Sequence, residues 1–159
     1  MSATASNAAF ALARAFFPQA GTLAVMPHGE HAAVIVRRVE LLSTGAHLCG
    51  YAVVDHDPCP GVSLDRELEA PCHGGVTFDE VSPNGFRLVG FDCAHWGDNG
   101  DASLTPPKVL EDARALADWI VYETPKLAAW RAVEAAAFSR SAAALSTALE
   151  ALRGAGVTP

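Results

Sequence analysis

The stretch Val76-Thr77-Phe78-Asp79-Glu80-Val81-Ser82-Pro83-Asn84-Gly85-Phe86-Arg87-Leu88-Val89-Gly90-Phe91-Asp92-Cys93 decides the fold. Two runs rich in Val and Phe flank a Ser-Pro-Asn-Gly cluster. Asn-Gly suits a tight hairpin turn because both central residues of that turn need positive φ. The reading is a β-hairpin over 76–93. With Asn84-Gly85 as a two-residue turn, Thr77 opposes Asp92, Phe78 opposes Phe91 and Val76 opposes Cys93. Alternation along the strands then gives a core face of Val76, Phe78, Val89, Phe91 and Cys93. The other face carries His73, Thr77, Asp79, Asp92 and Trp96.

Upstream of the hairpin, Leu23-Met26, Ala33-Val39 and His47-Val54 read as strands, punctuated by Pro27-His28-Gly29 and Ser43-Thr44-Gly45, and form an antiparallel meander. Asp55-His56-Asp57-Pro58-Cys59-Pro60-Gly61 is a loop by its prolines and glycine, and 62–72 stay irregular. Downstream, Thr105-Pro106 has the chemistry of a helix start, and Val109, Leu110, Ala113, Leu116, Ala117 and Ile120 recur at helical spacing. A second helix runs from about Pro125 to Arg153, with Leu127, Val133, Phe138 and Leu145 among its apolar positions, until Gly154 stops it. Pro125 either kinks one long helix or separates two. The fold class is α+β: a small antiparallel sheet, hairpin included, covered by C-terminal helices. One domain spans 1–159, with an Ala-rich leader or short helix over 1–20, mainly strands and loops over 21–104, and helix over 105–153.

The chain has 159 residues, which suits one core, and half of them are hydrophobic without any run long enough to span a bilayer. Ala8 to Phe17 is apolar but lacks a basic flank and contains Arg14, so it reads poorly as a secretory signal, and a soluble cytoplasmic protein is expected. A net charge of −7 with only 11 Lys and Arg argues against a phosphate-tracking surface, and no nucleic-acid partner is expected. The cysteines Cys49, Cys59, Cys72 and Cys93 include no Cys-x-x-Cys pair and are expected to be reduced. Cys93, on the core face, is a packed thiol rather than a nucleophile.

Polar residues concentrate where His73-Gly74-Gly75 meets Asp92-Cys93-Ala94-His95. The ligand-binding candidates are His73, Gly74, Gly75, Thr77, Asp92 and His95, with the paired glycines allowing close backbone approach to a ligand. For any single one of these residues, Asp92 bonded to Thr77 and loop amides is the simpler structural role. A metal reading recruits His73, Asp92, His95 and Asp98, with His56 or Cys72 from the preceding loop, and makes a divalent metal the implied cofactor. His28-Gly29-Glu30-His31 reads as a solvated turn rather than a metal pair, and Asp98-Asn99-Gly100-Asp101 lacks the ligand series of a calcium loop.

Three blocks resemble an uncharacterised family of phage and prophage proteins: Cys49-Gly50-Tyr51-Ala52-Val53-Val54 with the loop after it, His73-Gly74-Gly75-Val76-Thr77-Phe78, and Gly90-Phe91-Asp92-Cys93-Ala94-His95-Trp96-Gly97-Asp98. A fourth, weaker match is Ile120-Val121-Tyr122-Glu123 followed by Leu127-Ala128. The likeness covers residues 49–128 and implies a phage-type accessory role without a reaction. It departs from the family at Leu88-Val89, where a tryptophan is usual, and at Asp55-His56-Asp57-Pro58, where Gly-His-Pro is usual. Three readings stand: a binding protein for a small, nucleotide-like molecule; a metal-dependent hydrolase built on the same cluster; and a partner-binding protein whose motif is purely structural.

Overall fold

The β-branched runs of the first half of the chain become a single five-stranded antiparallel sheet. Its strands are β1 (Thr22–His28), β2 (Ala32–Leu41), β3 (Gly45–Val54), β4 (Phe78–Val81) and β5 (Arg87–Asp92), in the order β1-β2-β3-β5-β4. The computed structural model describes residues 8–17, 20–41, 45–65, 69–95, 98, 101–139 and 141–157. Among the described residues there are also four helices: α1 (Ala8–Phe16), α2 (Pro106–Tyr122), α3 (Thr124–Phe138) and α4 (Ala142–Gly154). The class is α+β, with α2 lying on β2 and β3 and α3 joining it to α4. No helix among the described residues is long and apolar enough to cross a membrane.

The middle of the sheet is buried on both faces, while the edge strands β1 and β4 stay largely open, and alternation along each strand sorts its side chains. Val34, Val36, Ala52, Val54, Val89 and Phe91 face α2 and meet the stripe of Val109, Ala113, Leu116, Ala117 and Ile120 that the helical spacing marks out. Ile35, Val53 and Leu88 face the other way, onto Ala9 and Ala13 of α1. The Ala-rich N-terminal segment thus forms a helix that covers part of the second face. Its small side chains let the helix lie close against the sheet.

The hairpin exists, but its turn is one residue longer than the Asn-Gly reading requires. Ser82 N donates to Phe86 O at 2.9 Å and Gly85 N to Ser82 O at 2.9 Å, leaving a three-residue loop of Pro83, Asn84 and Gly85. Gly85 holds φ of 83°, the left-handed residue that closes such loops. The register is therefore Phe78↔Gly90 and Asp79↔Val89. A one-residue slip reverses every side chain of the strand. Phe78 leaves the expected core face and lies 39% exposed, edge-on to Tyr51 at 6.2 Å between centroids. Asp79 turns inward instead. Val76 and Cys93 remain buried as expected. Thr77 and Asp92 are not cross-strand partners: Thr77 N donates to Gly90 O at 2.9 Å, whereas Asp92 pairs with Cys49 of β3.

The single helix expected over 125–153 is two helices. Ser141 ends the break between them, its hydroxyl accepting from Ala144 N at 3.2 Å as the N-cap of α4. Phe138, assigned to the apolar stripe of one long helix, is 91% exposed at the end of α3. An alanine-rich helix has little apolar asymmetry with which to set a buried face, so spacing alone misplaced Phe138.

Candidate functional site

His73 and Gly74 lie in the turn that precedes β4, where Gly75 N donates to Cys72 O at 3.2 Å. His95 follows the bend at the end of β5, after Cys93 N has added one further bond to β3 at Leu48 O, 2.9 Å. Asp98 closes a small turn back onto His95: its backbone N donates to His95 O at 3.0 Å, and its Oδ2 accepts from His95 N at 2.8 Å. The same Oδ2 lies 2.9 Å from His73 Nε2 and 3.3 Å from His95 Nδ1. The two imidazoles meet edge to face, 5.4 Å between centroids. One donor atom from each of His73, His95 and Asp98 falls within 4.8 Å of the others.

The close approach that Gly74 allows is taken by His95. A β-carbon on Gly74 would sit 2.2 Å from His95 Cε1 and 2.5 Å from Nε2, and the residue holds φ of 67°. Burial alone would raise the Asp98 carboxyl, but the bonds from His73 and His95 outweigh it and hold the group below the ordinary carboxylate range. Asp98 is thus an anion between two imidazoles, an imidazole and carboxylate set of the kind that borderline transition metals take.

The other sequence candidates divide. Asp92 stands apart from the three converging donors, and its Oδ1 accepts from Ala94 N at 3.1 Å. With Thr77 it lines a cleft of about 340 Å³ on the sheet face that carries Tyr51, Cys49 and His47. His47 Nδ1 in that cleft is buried and has no hydrogen-bond partner among the described residues. Gly75 is buried behind the His73 turn. Cys72, recruited by the metal reading, is pushed up to about 12 by burial and stays a thiol; Cys93 is pushed up to about 12 by the same cause, as a packed thiol should be. All four cysteines are free. Trp96 lies outside the described residues.

His56 belongs elsewhere, with His31 on the carboxylate of Asp55. His28 does not join His31 in a pair: its Nε2 is 2.8 Å from Asp118 Oδ1 of α2.

The residue that the sequence reading missed is Arg87, which is 1% exposed. Its Nε and Nη2 donate to the two oxygens of Asp79 at 2.8 and 2.7 Å, and its Nη1 donates to Asp57 Oδ1 at 2.8 Å. Nη2 also donates to Val62 O at 2.6 Å, so one guanidinium ties the irregular loop after β3 to the hairpin. The signal available in the sequence was a charged residue at an inward strand position, within reach of acids on both sides.

No family model, curated relative or solved structure matches the chain.

Proposed function

We propose that the protein holds a divalent transition-metal ion on His73, His95 and Asp98, and that the open side of this ion binds and hydrolyses a small molecule. The convergence of three donors from two segments of the chain, His73 on one and His95 with Asp98 on the other, onto one small volume carries this reading. Around a tetrahedral ion with bonds of roughly 2.0–2.1 Å, neighbouring donors stand about 3.3 Å apart. The spacings of 2.9 and 3.3 Å about Asp98 Oδ2 already lie near that figure. His73, His95 and Asp98 would hold the ion and leave a position open for water; zinc bound there would lower the pKa of that water to about 7 and supply Lewis-acid polarisation of a ligand oxygen. A phage-type accessory role, as the resemblance of the sequence blocks implies, is compatible with such a centre.

A second reading has its own observation: the cleft beside Thr77 and Asp92, with a His47 Nδ1 that has no partner among the described residues, offers donors and acceptors to a small molecule away from the ion. The two are separated by elemental analysis and melting of chelator-stripped protein reloaded with Zn²⁺ or Mn²⁺. Ion binding to the folded state raises the melting temperature. The expected result is that His73→Ala loses one equivalent of metal and the associated stabilisation, while Asp92→Asn keeps both. Unchanged metal content and melting in His73→Ala would overturn the metal reading and leave the cluster as a structural tie.

A further inference from the structure

We propose that His31, Asp55 and His56 form a second transition-metal site, independent of the first. Asp55 receives one imidazole on each carboxylate oxygen: His31 Nδ1 lies 3.1 Å from Oδ2 and His56 Nδ1 lies 2.7 Å from Oδ1. The rings stand edge to face at 5.6 Å, and one donor atom from each of the three residues falls within 4.8 Å of the others.

This cluster is seated on the sheet rather than on a free loop. Ala32↔Val54 is the last rung between β2 and β3, and the ladder runs one step further, with Asp55 N donating to His31 O at 3.0 Å. His31 and Asp55 are therefore directly opposed. The chain then bends so that His56 turns back onto the same carboxylate.

Both imidazole side chains are 50% exposed, so an ion can enter with its waters without unfolding anything. Two nitrogens and one carboxylate suit Zn²⁺, Ni²⁺ or Cu²⁺, and disfavour Mg²⁺ and Ca²⁺, which take oxygen ligands.

The two clusters cannot share a binuclear centre. In the β3/β5 register, Val54↔Arg87 lies at the Asp55 end and Cys49↔Asp92 at the His95 end. The intervening strand spans on the order of 16 Å at about 3.3 Å per residue, whereas paired catalytic ions stand about 3.5–4 Å apart. An ion at Asp55 would instead clamp the β1–β2 turn to the loop leaving β3. That loop continues directly to Asp57 and its bond from Arg87.

Calorimetric titration of the chelator-stripped full chain with Ni²⁺, with thermal melting alongside, tests this. His31→Ala/His56→Ala is expected to bind one equivalent fewer than the native protein, and His73→Ala, which leaves this cluster intact, is expected to retain the equivalent that the double variant loses. If the double variant keeps the native stoichiometry, the second site does not exist, whatever His73→Ala does. If the native protein binds a single equivalent that survives in His73→Ala and vanishes in the double variant, this site stands and the proposed function falls. Far-UV circular dichroism checks the fold. His56→Gln, a milder change at a half-exposed position, must weaken the same binding event; if it does not, the assignment of His56 fails.

Discussion

At Gly74 two constraints coincide: φ of 67°, and a His95 ring standing where a β-carbon would be. Gly61 provides a natural control, since it holds φ of 76° with open space around it. Backbone strain is common to both positions and costs about 1–2 kcal/mol on replacement by alanine. Gly61→Ala is expected to show that cost and nothing else. Gly74→Ala is expected to lose a similar amount of stability, because an imidazole can swing aside, but to expel His95 from the cluster. Urea denaturation measures the first effect and the imidazole NMR signals of His95 the second. Unmoved His95 signals in Gly74→Ala would show that the ring is not held by the glycine. The motif His73-Gly74-Gly75 was legible as chemistry in the sequence. That the motif meets His95 was legible too; that the His95 ring itself fills the space over Gly74 was not, because beyond the strand end the direction of the ring is set by its contacts with Asp98 and His73.

Among the elements, the hairpin shows how a single extra turn residue redistributes chemistry. With Asn84-Gly85 as a two-residue turn, Asp79 would face away from the core; with Pro83 included in the loop, it faces Arg87. Burial opposes the charge of Arg87, and the bonds from Asp79 and Asp57 more than offset it, keeping the guanidinium firmly protonated. Removing one partner of a buried ion pair leaves an uncompensated charge and costs about 3–5 kcal/mol. Arg87→Met is therefore expected to destabilise the protein by about that amount, since Asp79 is only 6% exposed. Chemical denaturation measures it, and the triple change Arg87→Met/Asp79→Asn/Asp57→Asn should recover part of the loss. A cost below about 1 kcal/mol, the level of a surface pair, would mean that the loop is held by something else.

At the scale of the whole molecule, the two His–Asp clusters contribute to the behaviour in acid. Asp55 resembles Asp98: burial would raise its carboxyl, and the bonds from His56 and His31 bring it below the ordinary value. A carboxylate whose pKa is lower in the folded than in the unfolded chain adds stability above the unfolded value of about 3.9, and that stability drains away as pH falls through the folded value. His31 works in the opposite sense. Its hydrogen bond to Asp55 raises its pKa, so its contribution is present in acid and fades as pH rises through the folded value. Stability followed by urea denaturation from about pH 6 to about pH 3 is expected to fall, and Asp98→Asn should flatten part of that slope. A slope identical to that of the native protein would show that Asp98 is not held by its histidines.

The sequence by itself determined the class and most of the elements, though neither the length of the hairpin turn nor the break between α3 and α4. The period-two runs of Val and Ile, the Asn-Gly turn and the apolar spacing from Val109 to Ile120 are local properties. They specify strand, turn and helix wherever they occur. It also marked His73, His95 and Asp98 among its candidates, because imidazoles and carboxylates concentrate there around paired glycines. Only the tertiary structure decided that β3 lies between β2 and β5, that Asp79 faces inward to Arg87, that Asp92 belongs to a cleft rather than to the imidazoles, and that His31 meets His56. Those outcomes turn on strand pairing and on a register in which one residue exchanges the two faces of a sheet. In the hairpin the register follows from the length of the turn, and between distant strands from which faces α1 and α2 bury, and the second of these is contained in no local window of sequence.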